Sequence, residues 1–348
     1  MTQLRSVRVG SLLLFFLTAC NLSIRNAAGS TPEPATVNGT TPALLGSTAE
    51  VPLPTPTAAA LGTIENPLIL ALPPGSSTTA DRIDAGKAFA EQLSEVTGYT
   101  FVVVAPDSYS NLVEAMGRGN AHVAVLPAYP YALAYEKGYA NAALASLKLG
   151  KKAYGAQFIT RKDAGFKSYI DAQTGENTAD AVTALSQFRD KKPCWSDETS
   201  PSGYVIPSGI LAFHNISIFP PAFVQGQPTV VRAIYLGGIC DFGASYIDAR
   251  KFPTQLDEYP DTLERVRVIW YVPPIIPYET FTIAHNLPPE IVLAISDAMF
   301  RISGMQTGRQ VLGQAFGIED WERITDDFYA EFRSYLDASG VDLASILD

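Results

Sequence analysis

Cys194-Trp195-Ser196-Asp197-Glu198-Thr199-Ser200-Pro201-Ser202-Gly203-Tyr204-Val205-Ile206-Pro207 joins a short strand-like run to an apolar, helix-compatible segment over residues 204–213. A cluster of hydroxyl residues lies between the two. Ser200 suits the N-cap and Pro201 the first helical position. A helix that starts this way aims unpaired backbone N–H groups and serine hydroxyls at one point. The partial positive charge of a helix N-terminus makes that point attractive to an anion. Taken alone, the same residues also describe an ordinary capped helix that follows a strand.

Outward from this stretch the chain alternates. Residues 68–72 form a continuous apolar strand, followed by a Gly/Ser/Thr loop over 73–79. Residues 81–97 place Ile83, Phe89, Ala90, Leu93 and Val96 on one helical face, with Gly98 as the stop. A strand at 101–105, a short helix at 108–116, a strand at 123–126 and a helix starting at 131 complete a first α/β unit. The pattern then repeats: a strand at 158–159, a polar excursion over 163–180, a helix at 182–188 and the strand at 193–195 that feeds the opening motif. A helix at 230–236, a strand at 239–244 and a strand at 266–271 that can return to the first lobe come next. Helices at 288–303, 309–316 and 326–338 close the chain. The expected fold is α/β: a two-lobed clamshell, each lobe a mostly parallel sheet flanked by helices, with the ligand in the cleft. Lobe 1 is expected over residues 64–160 plus 270–348 and lobe 2 over 161–269.

The first 20 residues read as a secretory signal: Arg5 and Arg8, a short apolar core, then Leu17-Thr18-Ala19-Cys20. That ending resembles a bacterial lipobox, in which Cys20 takes the lipid. Residues 21–63 are rich in Thr, Pro, Ala, Gly and Ser and read as a disordered tether. The module behind it has an ordinary globular composition, 47% hydrophobic and 17% charged over the whole chain. Loss of residues 1–19 leaves 23 basic against 35 acidic side chains, a net charge of −12. So acidic a surface excludes a nucleic-acid partner but not a small anion held locally. After Cys20 only Cys194 and Cys240 remain; an even pair in an exported chain favours a disulfide, and two buried thiols are the alternative. His122, His214 and His285 are scattered without zinc spacing, no Gly-x-Ser-x-Gly elbow occurs, and no nucleophile has a base beside it. No cofactor and no catalysis are expected.

Several segments together resemble the phosphate/phosphite/phosphonate substrate-binding proteins of bacterial ABC importers, a branch of the type II periplasmic binding-protein fold. They are residues 109–116 (Tyr-Ser-Asn-Leu-Val-Glu-Ala-Met), Gly119, and Ala121-His122-Val123-Ala124, where His122 replaces a usual Asp; then Tyr131-Ala132-Leu133-Ala134. In the second half, Asp197 to Tyr204 is similar to the family's Asp-Pro-x-Ser-x-Ser-Gly-Tyr, with Ser200, Ser202, Gly203 and Tyr204 matching and Pro201 replacing a frequent Thr. Gln227 stands where the family has a histidine, and Pro274-Ile275-Ile276-Pro277-Tyr278-Glu279 resembles its Pro-x-Pro-Asn-Asp segment.

The resemblance implies a lipid-anchored, monomeric binding protein outside the cytoplasm. It would close on a small oxyanion such as phosphonate, phosphite or phosphate and dock on a membrane permease. Ser200, Ser202 and Gly203 would hold the anion, with Tyr204 beside them, while Tyr109 and Tyr131 close from lobe 1. Asp248 and Glu279 would receive an amino group on the ligand. Trp195 is either a stacking surface or core, and the loop Gly75-Ser76-Ser77-Thr78-Thr79 could add donors. The same clamshell also suits a sensory module for a membrane kinase or an enzyme on this fold, although lipidation and the absent catalytic residues count against the latter.

Overall fold

The computed structural model describes residues 59–74 and 79–347. The signal, Cys20, most of the tether and residues 75–78 of the Gly/Ser/Thr loop lie outside the described residues. Leu61 already packs against the first core and the Gly62 N–H bonds the Asn66 carbonyl at 2.7 Å, so the folded chain starts ahead of the tether boundary at 63.

The first run of elements is β1 Leu68–Ala71, α1 Ala80–Thr97, β2 Phe101–Val104, α2 Tyr109–Gly117, β3 Val123–Leu126, α3 Ala128–Glu136, β4 Ala140–Leu147 and β5 Ala153–Arg161. Next come α4 Ala181–Leu185, β6 Pro193–Trp195, α5 Ile206–Phe213, β7 Ala222–Phe223, α6 Gln227–Leu236 and β8 Phe242–Tyr246. Two short helices follow, α7 Pro253–Glu258 and α8 Thr262–Arg265, then β9 Val266–Pro277 and β10 Thr280–Ala284. The chain ends with α9 Pro289–Gly304, α10 Gln306–Phe316, β11 Asp320–Arg323, α11 Ala330–Ser339 and α12 Leu343–Leu347. Local chemistry fixes many boundaries. Thr79 caps α1 by accepting the Arg82 N–H, and Gly98 ends it at φ +77°, a left-handed conformation that costs glycine little. Ser108 caps α2 through the Asn111 N–H at 3.1 Å.

Two sheets form, in the orders β11-β4-β10-β3-β1-β2 and β7-β6-β8-β5-β9. Both are mixed rather than mostly parallel. β1 pairs parallel with β2 and β3, and β6 with β7 and β8, but β10 runs antiparallel to β3 and β4, and β5 antiparallel to β8 and β9. β11 also runs antiparallel, to β4; β5 and β10 are the strands entered directly from the other sheet, without a helical crossover. The boundaries also move. β5 and β9 both belong to the second sheet, so residues 266–271 do not return to the first lobe. The crossings fall instead at residues 148–152 and between β9 and β10, tied by the Tyr278 N–H to the Lys152 carbonyl at 3.1 Å.

One core packs α1, α9 and α10 on the first sheet around Phe89, Phe281 and Met299. A second packs α6 on the second sheet around Val230, Ile234 and Ile159. The largest cluster passes between the sheets, from Leu112 and Tyr131 through Phe158, Trp195 and Phe242 to Phe332 and Leu336 on α11.

Candidate functional site

Ser200 is the N-cap, as its local chemistry demands: its Oγ accepts the Gly203 N–H at 3.1 Å, and Pro201 occupies the first helical position. The turn is wider than an α-helical one. Residues Pro201–Val205 form a π-helical turn, with the Val205 N–H on the Ser200 carbonyl at 3.0 Å, before α5 begins at Ile206. Gly203 is required here, because a Cβ would overlap the side chains of both Ser196 and Ser200. Ser200 and Ser202 are only 7% and 2% exposed.

Gln227, the first residue of α6, reaches both serines. Its Nε2 donates to Ser200 Oγ at 3.1 Å and Ser202 Oγ at 3.0 Å, and its Oε1 accepts the backbone N–H of Tyr246 and, at 3.4 Å, the Ser202 hydroxyl. A backbone N–H can meet only the carbonyl end of the amide, so the orientation of Gln227 is fixed by Tyr246. The consequence for Ser200 is specific. A serine hydroxyl has two lone pairs and one proton; both lone pairs are taken, by Gly203 and Gln227, and the proton is left to donate. Ser202 also lies beside the Tyr154 phenol on β5, close enough to favour its ionised form. Burial, with Tyr278 and Glu279 nearby, pushes that phenol up to about 12 against the opposing effect of Ser202, so it stays protonated at neutral pH.

From the first sheet, Tyr129 at the start of α3 comes close enough to interact electrostatically with Tyr154, Asp197 and Tyr204. Its hydroxyl is buried without a hydrogen-bond partner, as is that of Ser196 beneath Gly203. Tyr109, at the start of α2, is half-buried, and burial with the Glu279 charge pushes its phenol up to about 12. Tyr131 is not in the cleft: it is 0% exposed, donates to Asp326 and accepts the Ala142 N–H at 3.2 Å. Two residues along a helix turn a side chain by about 200°, so with α3 starting at Ala128, Tyr129 faces the second sheet and Tyr131 faces β4 and the C-terminal segment.

Asp248 is also not available to a ligand. Its carboxylate is paired bidentately with Arg250, at 2.8 and 2.9 Å, and accepts from Gln157 at 3.0 Å. Burial opposes its ionisation, but Arg250 and Gln157 outweigh that and hold it below the usual carboxylate range. Glu279 does stand at the junction of the sheets, but Lys148 pairs with it at 2.9 Å and Ser146 donates to it at 3.1 Å. An ammonium group on a ligand would find it already neutralised. Tyr204 packs edge-on against Phe223, with ring centroids 5.0 Å apart, and Trp195 is fully buried core. Cys194 and Cys240 are bridged with Cα atoms 5.5 Å apart, stapling β6 to the turn before β8. The loop residues 75–78 and Cys20 fall outside the described residues. Tyr129, Tyr154 and Tyr246 carried no signal in their own neighbourhoods. Gln227 had one, as the residue standing where the family places a histidine.

Residues 76–329 match the family described as "ABC transporter, phosphonate, periplasmic substrate-binding protein". The phosphate-import protein PhnD of Mycolicibacterium smegmatis is 24% identical over 247 residues, which cover 68% of this chain and 71% of that protein. XAC2383 from Xanthomonas citri, solved with chloride and with ATP, superposes with a TM-score of 0.53 in both structures. At 14% and 13% identity, the two cover 80% and 81% of this chain and 98% and 99% of XAC2383, a likeness of fold. The chain belongs to the phosphonate-type periplasmic substrate-binding proteins of ABC importers, a family of extracytoplasmic transport components and not of enzymes.

Proposed function

We propose that this protein is a lipoprotein, anchored through Cys20, that captures a small oxyanion of the phosphate, phosphite or phosphonate class at Ser200, Ser202 and Gly203 and presents it to its permease. The observation that carries the reading is the direction of the Ser200 proton. Gly203 and Gln227 fill the two acceptor sites of Ser200, so Ser200 offers its proton outward. An oxyanion is acceptor-only, and hydrogen bonds to a charged group are the strong ones. The buried, unpartnered hydroxyls of Tyr129 and Ser196 are further donors beside it. All these donors are neutral, which suits a site that must bind an anion and then release it to a transporter.

Ser202→Ala removes one donor to a charged ligand, worth about 1.5–3 kcal/mol. Calorimetric titration of the full chain with inorganic phosphate and methylphosphonate should show a fall in affinity of about tenfold or more, with little change in Tm. Unchanged affinity would take Ser202 out of the site. Cys20→Ala should move the protein from the membrane fraction to the soluble extracytoplasmic fraction; persistence in the membrane fraction would refute lipid anchoring.

A further inference from the structure

Beside the cradle, the pairing of β5 with β9 is interrupted. Tyr154 stands opposite Ile276 and Ala156 opposite Val272, so the single residue Gly155 faces three on β9. The extra length bows outward at Pro273 and Pro274, which are exposed and have no N–H to leave unpaired. Gly155 is compelled: a Cβ there would overlap the Val272 carbonyl. The bow opens a cavity of 530 Å³ between β9 and the loop after β8. One wall is a pair of stacked rings, Tyr154 and Tyr278, with centroids 5.2 Å apart and planes at 25°. The opposite wall is Ile247 and Val272, and the mouth carries Leu149, 91% exposed, while Ile247 is 48% exposed. Lys148 sits over the Tyr278 face at 4.9 Å and pairs with Glu279, so no free carboxylate faces inward from that side.

Two residues of this cavity also build the cradle. The Tyr154 phenol lies beside Ser202, and the Tyr246 N–H orients Gln227. The cavity is far larger than a bare tetrahedral anion fills and lies in the range of sites for small organic ligands. Its walls are mostly aliphatic and aromatic; of its two lysines, Lys148 is paired with Glu279 and Lys151 is exposed. We infer that this cavity is a second subsite for the organic substituent of the cradle's ligand, which is an oxyanion carrying a flat, apolar group about the size of a six-membered ring. The inference rests on the cradle reading above, since the anion anchors the substituent.

The test compares methylphosphonate and phenylphosphonate by calorimetric titration of the full chain. Phenylphosphonate should bind at least tenfold more tightly, because its ring stacks beside Tyr154 and Tyr278. Tyr278→Ala removes the stacking surface and should bring the affinity ratio below about threefold. Ile247→Trp at the exposed mouth fills the space and should do the same if Tyr278→Ala proves unstable. Equal binding of both ligands by the unaltered protein overturns the subsite and leaves the cradle standing. A ratio that neither variant lowers overturns it too, since the ring then lies elsewhere. Binding of neither phosphonate overturns the cradle, and the subsite with it.

Discussion

Gln227→Glu reverses the polarity of the cradle while keeping its shape. The introduced carboxylate has the volume of the amide, and one of its oxygens still accepts the Tyr246 N–H. The other takes the place of Nε2, 3.0–3.1 Å from both serine oxygens, and can only accept. Ser200 must then turn its proton inward, as Ser202 already does toward Gln227 Oε1 at 3.4 Å, and the ligand loses the Ser200 donor. It also gains a negative neighbour at about 5 Å, across one hydroxyl, which costs about 3 kcal/mol at an effective dielectric of about 20. Affinity for inorganic phosphate and methylphosphonate at pH 7.5 should therefore fall by more than about 100-fold. Burial raises a carboxyl's pKa, so protonation below about pH 5 should restore part of the binding of methylphosphonate, which keeps a charge there. Titration calorimetry at the two pH values, with circular dichroism to verify the fold, reads both effects. A loss of less than threefold at pH 7.5 in a folded variant would refute the argument, because the Ser200 proton would then not face the ligand.

Two further outcomes concern stability. Cys194→Ala with Cys240→Ala opens a link of sequence separation 46; chain entropy puts this at about 4 kcal/mol, a fall in Tm of about 10 °C, and a fall of under 2 °C would contradict it. Asp326→Asn removes the partner of Arg333, at 2.9 Å, and weakens the acceptor of Tyr131, which should cost about 2 kcal/mol in urea unfolding. Burial opposes ionisation of Asp326, but Arg333 and Tyr131 hold its carboxyl below the ordinary range. Its contribution is thus complete above the unfolded carboxyl pKa of about 4 and is lost as pH falls through the lower folded value. The unaltered protein should lose Tm more steeply than Asp326→Asn below pH 4, and parallel curves would contradict the pairing.

What the chain discloses locally was legible. A Ser-Pro-Ser-Gly start needs only contacts three or four residues apart, so the capped turn at Ser200 follows from the sequence. Gln227 could be noticed but not placed, because its partners are 25 and 27 residues away and its orientation is set by Tyr246. The choice between Tyr129 and Tyr131 turns on helix phase, and Pro127 sets that phase by starting α3 at Ala128, three residues ahead of the expected start. Asp248 had Arg250 two residues on, yet only the fold brings Gln157 to the same carboxylate. β4 reads Ala-Asn-Ala-Ala-Leu-Ala-Ser-Leu, without a β-branched residue, and owes its extended form to pairing on both sides. β11, Asp-Trp-Glu-Arg, buries only Trp321. Neither has a sequence pattern that announces a strand.

The C-terminal helices give the two sheets a third connection. α11 packs on α5, beyond the cradle turn, so closely that a side chain at Gly209 would meet the Tyr335 backbone, while α12 packs on α3. Two adjacent strand crossings alone would let the halves part like the covers of a book. With this strap in place, separation must break one of its two attachments. The backbone-to-backbone seat on α5 interlocks; the seat on α3 is made by α12, with Leu343 as its buried residue, and by α11 itself, whose Phe332 stacks on Tyr129 and whose Arg333 lies 4.1 Å from the Tyr135 ring. A path that carries α11 away with the second sheet must therefore undo the Tyr129–Phe332 stack and the Tyr131–Asp326 hydrogen bond as well as peel α12 from α3. The contacts of α11 and α12 with α3 then set the energetic threshold for the gate.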